Sequence, residues 1–126
     1  MNIGIIPDPE NHRDWEAIKA LLEPAAKFGE REILRPLEMV WVVYDNELKG
    51  AAVASLKMDD TGEVSLVGGS DYRRWIKQLD WLICSWMRRE GMSRVRAYGR
   101  KGWRKVLTDW EAMTLEDGQT AYEKVL

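Results

Sequence analysis

The spacing of apolar residues predicts one long helix in the second half of the chain, from about residue 72 to residue 90. Its apolar positions recur at intervals of three, four and seven: Trp75, Leu79, Leu82 and Trp86. Ser70 or Asp71 stands where a helix cap is expected, and Gly91 follows the last turn, where helices often end. We therefore expect an amphipathic helix that packs one face against the core.

Short apolar runs bounded by turn residues predict the strands. They cover residues 2–6, 39–44, 48–57, 63–67 and 94–98. Asp45-Asn46-Glu47 and the stretch from Asp59 to Gly62 supply turn chemistry, so the three middle strands should form an antiparallel meander. The tail, residues 112–126, predicts two more strands joined through Asp117-Gly118.

Shorter helical patterns complete the predicted order. Trp15, Ile18 and Leu22 recur at helical spacing after Asp14, and Pro24 is expected to break that helix and start a second one. A short helix also fits residues 102–110. The order β-α-α-β-β-β-α-β-α-β-β predicts a single domain over residues 1–126 of α/β (α+β) class. Its sheet should be mostly antiparallel, with one parallel pair where the long helix crosses over.

Composition narrows the class of protein. Hydrophobic residues make up 45% and charged residues 32% of the 126-residue chain, which is typical of a globular protein. No apolar run approaches the roughly 20 residues that span a bilayer, and no secretory signal is visible, so we expect a cytoplasmic protein without a membrane partner. One cysteine, Cys84, and one histidine, His12, cannot form a His/Cys metal site, and no metal is expected. Cys84 should be buried, and His12 should lie in a solvated loop.

Charge is distributed unevenly along the chain. Residues 73–105 hold eleven Lys or Arg against two acids, a net +9, whereas the remainder holds eight basic and nineteen acidic residues, a net −11. Such a segment is either a solvated face or a binding surface for an anion. The anion could be a nucleotide cofactor, a nucleic acid or an acidic protein.

The predicted order of elements resembles that of the GNAT family, the acetyl-coenzyme-A-dependent N-acetyltransferases, over nearly the whole chain. The best local match is DYRRWIKQLDWLICSWMRREGMSRVRAYG, which is similar to the family's fourth strand, third helix and fifth strand. The closing AYEKVL resembles the family's last strand. The resemblance implies that acetyl-coenzyme A (acetyl-CoA) lies between strands 63–67 and 94–98 and that acetyl is transferred to an unidentified amine.

The family's pyrophosphate loop has the pattern Gln/Arg-x-x-Gly-x-Gly/Ala, and this chain departs from it. Arg73 fits the first position, but Ile76 and Gln78 stand where the glycines should be and are expected to crowd the pyrophosphate. The helix N-terminus and the preceding glycines could hold the anion in a shifted way. The cofactor-binding residues that the resemblance then implies are Val67, Gly69, Arg73 and Arg74. The alternative is a flexible turn before a solvated basic helix face.

The resemblance also implies an acid and a base. Lys105 stands near the position of the tyrosine that protonates the leaving thiolate in many members, and Asp109-Trp110 replaces Gly-Phe, so no general acid is evident. Tyr72 and Tyr98 could substitute for it. Glu63 begins the strand before the loop and is the candidate general base. Whether the chain catalyses a reaction stays open.

Two other functions compete with acetyl transfer. The run GRKGWRKVL is similar to small GNAT-like bacteriophage proteins, so the chain could be a catalytically silent binding or assembly protein of the host cytoplasm or the virion. Trp75, Trp81 and Trp86 cannot share one helix face, which favours a homo-oligomer or a protein complex. Residues 73–105 could instead bind nucleic acid, but the acidic remainder would repel it, so nucleic acid is not the expected partner.

Overall fold

A seven-stranded mixed sheet forms the centre of the computed structural model, which describes residues 1–117 and 119–126. Its strands are β1 (Asn2–Ile6), β2 (Met39–Asp45), β3 (Glu47–Leu56), β4 (Thr61–Gly69), β5 (Arg94–Gly99), β6 (Glu111–Thr114) and β7 (Thr120–Val125). The α-helices of the described part are α1 (Trp15–Phe28) and α2 (Tyr72–Arg89), and short 3₁₀ helices cover Pro9–Asn11 and Lys101–Lys105. The predicted turn at Asp117-Gly118 includes Gly118, which lies outside the described residues.

The strands lie in the order β1-β2-β3-β4-β5-β7-β6. Every neighbouring pair is antiparallel except β4 and β5, which are parallel because α2 carries the chain back to the end of the sheet where β4 began. The sheet has a core on each face, one built around α1 and the other around α2. The predicted α+β fold with one parallel pair is therefore confirmed.

The predicted break of the first helix at Pro24 is wrong, because α1 continues through Pro24 to Phe28. Pro24 removes one backbone hydrogen bond, but Ile18, Leu22 and Ala26 all bury their side chains on the same side of this helix. Burial of that face holds the helix together across the missing bond. The short helix predicted over residues 102–110 is likewise only a 3₁₀ helix that ends at Lys105.

The start of α1 is fixed by a side chain of the sheet. Asp14 occupies the cap position, yet its carboxylate makes no capping bond and instead accepts a 2.7 Å hydrogen bond from the hydroxyl of Tyr44. Burial and this contact raise the pKa of Tyr44 to about 12. His12, predicted to be solvated, is half-buried and accepts the backbone N–H of Asp14 at 3.1 Å. We conclude that these groups connect the end of β2 to the beginning of α1.

The long helix begins and ends close to where its pattern predicts. Trp75 and Leu79 are almost fully buried, and Trp86 packs edge to face on Trp41 of β2. Cys84 is buried as expected, and burial raises the pKa of its thiol to about 12, so it is unreactive near neutral pH. Trp81 lies on the opposite side of the helix and is 66% exposed.

Two glycines at the end of β4 let other elements approach the strand closely. A Cβ atom on Gly68 would overlap the backbone carbonyl of Leu21 in α1. Gly69 has a φ of +148° and lies against Gly50 and the ring of Trp75, which its Cβ would approach to 2.9 Å. These glycines belong to the strand itself, and their first role is packing.

Candidate functional site

The strands β4 and β5 pair over only four residue pairs, from Thr61 with Arg94 to Val64 with Ala97. Beyond that point β4 is paired with β3 alone and β5 with β7 alone. Within the described residues, the edge of β4 from Ser65 to Gly69 therefore has no strand partner on the side of β5. The two strands enclose an opening in the sheet with unpaired backbone along one side.

A β-bulge lies at the point where the strands separate. Val53 pairs with Leu66 and Ala54 pairs with Val64, so Ser65 is an extra residue in β4. Before the bulge Val64 packs in the core on the side of α2, whereas after it Leu66 packs in the core on the side of α1. The bulge thus exchanges the two faces of β4 at the mouth of the opening.

The opening leads into a cavity of about 660 Å³, a volume typical of small-molecule sites. Residues 63–69 of β4 line one side, and residues 97–100, at and just beyond the end of β5, line the other. The side of α2 is mainly apolar and includes Ile76, Leu79, Ile83, Leu107, Trp110 and Tyr122. An elongated ligand could lie along the free edge of β4 with this apolar surface beneath it.

The N-terminus of α2 follows the C-terminal end of β4, well beyond the point where β4 and β5 separate. Asp71 stands at the cap position with a φ of 52°, and its side chain makes no capping hydrogen bond. The first turn carries Arg73 and Arg74 and no acidic residue. Positive side chains beside the positive end of a helix dipole are unfavourable unless an anion binds there. This arrangement is therefore suited to an anionic group.

The predicted cofactor residues fall into two groups. Val67 and Gly69 line the cavity, whereas Arg73 and Arg74 lie in the exposed first turn of α2 and outside the lining. Arg74 forms a 3.2 Å salt bridge with Asp45. Arg73 makes no salt bridge among the described residues, and its guanidinium lies 5.9 Å from the centroid of the Tyr72 ring.

Ile76 and Gln78, the residues expected to crowd the pyrophosphate, do not lie at the start of α2. Both residues lie within α2, beyond its first turn, and Gln78 is exposed and outside the cavity lining. Ile76 is buried and contributes to the apolar side of the cavity. The strand-to-helix connection is Ser70-Asp71, so the two positions that the motif assigns to glycines lie within the helix itself.

Glu63, the candidate base, lies at the entrance of the cavity. It points to the face of the sheet opposite Val64, and its side chain is 23% exposed. Its carboxylate lies 3.1 Å from the ammonium group of Lys57. Tyr72 and Tyr98 also line the cavity, and Tyr72 packs on Trp103 with ring centroids 5.4 Å apart.

A buried ion pair that the sequence does not reveal fixes the wall beside the bulge. Arg31 and Glu38 form a two-pronged contact at 2.6 and 3.0 Å, with side chains only 8% and 5% exposed. The carboxylate of Glu38 also accepts the N–H of Arg35 at 2.7 Å and the hydroxyl of Ser65 at 3.3 Å. Burial alone would raise the pKa of Glu38, but these hydrogen bonds and the Arg31 charge outweigh it and lower that pKa. Arg31 and Glu38 are seven positions apart in a segment without helical or strand periodicity, so no pattern in the sequence marks the pair.

The opposite wall is held by Tyr122 and Asp80. The hydroxyl of Tyr122 donates to the carbonyl of Arg100 at 2.6 Å, which fixes the chain just beyond β5. Asp80 of α2 accepts the indole N–H of Trp110 at 3.2 Å. Both side chains line the cavity, and burial raises the pKa of Tyr122 above its usual value.

Comparison with known proteins is informative at the level of structure. No family model and no curated protein matches the sequence. An IAA acetyltransferase from Bacillus cereus is 14% identical and superposes with a TM-score of 0.72 over 99% of both chains. The PaiA N-acetyltransferase of Thermoplasma acidophilum, solved with coenzyme A, is 15% identical, with a TM-score of 0.72 over 100% of both chains. A GNAT family acetyltransferase from Elizabethkingia anophelis, solved with acetyl-CoA, is 13% identical, with a TM-score of 0.72 over 99% of both chains.

The chain has the GNAT fold. The resemblance found in the sequence is thus confirmed at the level of the fold, while a bacteriophage origin and an oligomeric state stay predictions. Among the described residues, no helix is long and apolar enough to cross a membrane. The same residues contain no group of three His, Cys, Asp or Glu side chains placed to hold a metal ion.

We predict that Glu38→Ala lowers the free energy of unfolding by about 3 kcal/mol at pH 7, because it leaves the buried Arg31 without a counter-charge. Since folding lowers the pKa of Glu38, its contribution is fully present above the ordinary glutamate pKa and is lost as the pH falls through the lowered one. Urea denaturation at pH 7 and at successively more acidic pH should show that the difference between wild type and variant shrinks with acidification. A constant difference would show that the charge on Glu38 does not stabilise the wall.

Proposed function

We propose that the protein is a GNAT-type N-acetyltransferase that binds acetyl-CoA in the opening between β4 and β5. The observation that carries this proposal is the separation of the strands at the Ser65 bulge, with the uncapped N-terminus of α2 following the end of the same strand β4. Other structures of the same fold were solved with coenzyme A or acetyl-CoA bound. The residues around the opening offer polar groups to the polar parts of such a ligand and apolar side chains to its apolar parts.

The free edge of β4 is suited to a ligand that contains amides. The pantetheine arm of coenzyme A has amide groups that can bond to unpaired backbone N–H and C=O groups between Ser65 and Gly69. Leu79 and Ile83 provide an apolar surface on the side of α2. The pyrophosphate would be held by the N–H groups at the start of α2 and by the guanidinium of Arg73.

Acetyl-CoA supplies the acetyl group as a thioester that an amine can attack. In our proposal Glu63 accepts the proton that the amine loses, directly or through one water. The ammonium group of Lys57, 3.1 Å from the carboxylate, orients the side chain of Glu63. Glu63 faces the side of the sheet that carries α1, so the amine should enter from that side.

The proton needed by the leaving sulfur does not require a tyrosine at the family's usual position. Lys105 is exposed and does not line the cavity, so it has no part in this step. The hydroxyl of Tyr122 already donates to a carbonyl. A thiol has an ordinary pKa of about 8.5, so a thiolate can leave without prior protonation near neutral pH. Tyr98 and Tyr72, which line the cavity, are the remaining hydroxyls that could assist.

A catalytically silent GNAT-like binding protein is the second candidate. The observation that favours it is the strand-to-helix connection, where Ser70-Asp71 replaces the glycine-rich loop of the family and the preceding glycines serve packing. Such a protein would keep the opening without binding acetyl-CoA. The two candidates differ in ligand binding, which the next experiment measures.

Acetyl-CoA should stabilise the protein. With a Kd of about 10 µM, 1 mM ligand adds roughly 2.7 kcal/mol to the free energy of unfolding, visible as a rise in Tm. Arg73→Ala should weaken binding about tenfold, the usual loss for one charge-assisted hydrogen bond. Arg89→Ala, at the other end of α2, is the matched control and should bind like wild type. If calorimetry detects no binding of acetyl-CoA to the wild type, the catalytically silent binding protein is the candidate that remains.

Glu63→Gln should lower kcat by about 10²–10⁴ while the Kd for acetyl-CoA stays unchanged, because only the proton transfer is lost. Glu111→Gln, on the exposed edge strand β6, is the control. The measurement is release of free thiol from acetyl-CoA with a panel of amines. Equal kcat values for wild type and Glu63→Gln on an accepted amine would exclude Glu63 as the base.

A further inference from the structure

The outer face of α2 is a row of side chains on the side opposite its buried residues, all of them exposed except the half-buried Ser85. At intervals of three and four residues it presents Arg74, Lys77, Trp81, Ser85 and Arg88. Trp81 lies in the middle of this row and is 66% exposed, far more than the buried Trp75 of the same helix. We refer to these five residues as the α2 outer face.

The positive charges of this face are largely uncompensated. Of its three cationic residues only Arg74 has a salt bridge among the described residues, the 3.2 Å contact with Asp45. Arg73 and Arg89 of the same helix are also exposed and form no salt bridge there. Like charges spaced along one helix destabilise it, so this arrangement is unfavourable for the free chain unless a negative partner binds.

A small groove of about 260 Å³ lies beside Trp81. It runs between α2 and residues 106–109, with Val106 and Leu107 as apolar lining and with Lys77, Asp80, Asp109 and Lys124 as its charged residues. Lys124 is paired with Asp109 at 2.7 Å. The groove is thus suited to an apolar side chain, and Lys77 is the cation beside it that has no salt bridge among the described residues.

We infer that the α2 outer face docks an acidic segment of a partner protein, with an apolar side chain of that segment packed against Trp81 in the groove. Tryptophan and arginine are the residues that contribute most to protein interfaces, and here they lie on one rigid helix. Charge complementarity specifies the partner, since the face supplies Lys77 and Arg88 without acids of its own.

The charge of the rest of the chain favours a short acidic segment over a nucleic acid. The residues outside 73–105 carry a net −11, and the whole chain carries −2. A long polyanion would extend beyond the basic face and be repelled, whereas a short segment would contact that face alone. None of the five residues of the α2 outer face lines the main cavity, so docking can be tested without acetyl-CoA.

The test is fluorescence anisotropy with a labelled peptide of repeated Glu-Glu-Leu triplets, at about 50 mM salt where exposed charges are weakly screened. We expect saturable binding that is about tenfold weaker for Trp81→Ala. Lys77→Glu combined with Arg88→Glu should abolish binding. Arg13→Glu combined with Lys27→Glu makes the same change of charge on exposed residues outside α2 and should leave binding intact.

Three results would overturn the inference. Peptide binding that is absent in wild type, or unchanged by Trp81→Ala and by the double α2 variant, would show that this face docks no acidic segment. Tighter binding of a thymidine oligonucleotide than of the peptide would assign the face to nucleic acid. Sedimentation that shows self-association of wild type, lost in Trp81→Ala, would assign it to a second copy of the chain. Because Trp81 is largely exposed, its replacement should leave the fold intact, which circular dichroism checks.

Discussion

The early separation of β4 from β5 is the constraint on which the rest of the structure depends. After four residue pairs the extra residue Ser65 shifts the register of β4 against β3 and exchanges its faces, and the ladder with β5 ends there. From Ser65 to Gly69 the strand keeps one neighbour and offers its other edge to solvent or to a ligand. Unpaired backbone groups beside an apolar cavity need a hydrogen-bonding partner, and in our proposal the ligand supplies it.

Both sides of this gap are fixed by polar contacts within the chain. On the side of β4, Glu38 joins the segment that follows α1 to Ser65 and is itself neutralised by Arg31. On the side of β5, Tyr122 bonds to the backbone of Arg100 beyond the strand. The opening therefore exists before any ligand arrives, and a ligand would have little ordering to impose. The same fold leaves the α2 outer face exposed, where it can contact a partner.

The sequence predicts the order of the elements and the parallel pair, because strong periodicity and turn residues mark them. It fails at Pro24, where packing of α1 keeps the helix continuous, and Ile76 and Gln78, the positions expected to hold the loop glycines, lie within α2. The wall of the site was not predictable, since Glu38 and Ser65 meet across 27 residues and Tyr122 bonds to a backbone atom. The roles of Glu63 and Arg73 stay predictions, because their positions fit the proposed chemistry without demonstrating it.

Amide hydrogen exchange of β4 with and without saturating coenzyme A tests the central claim most directly. If the free edge binds the pantetheine arm, the N–H groups that face the gap between Ser65 and Gly69 should exchange much more slowly with the ligand, while β1 and β2 should be unaffected. Unchanged exchange along β4, or slowing confined to distant strands, would contradict the account.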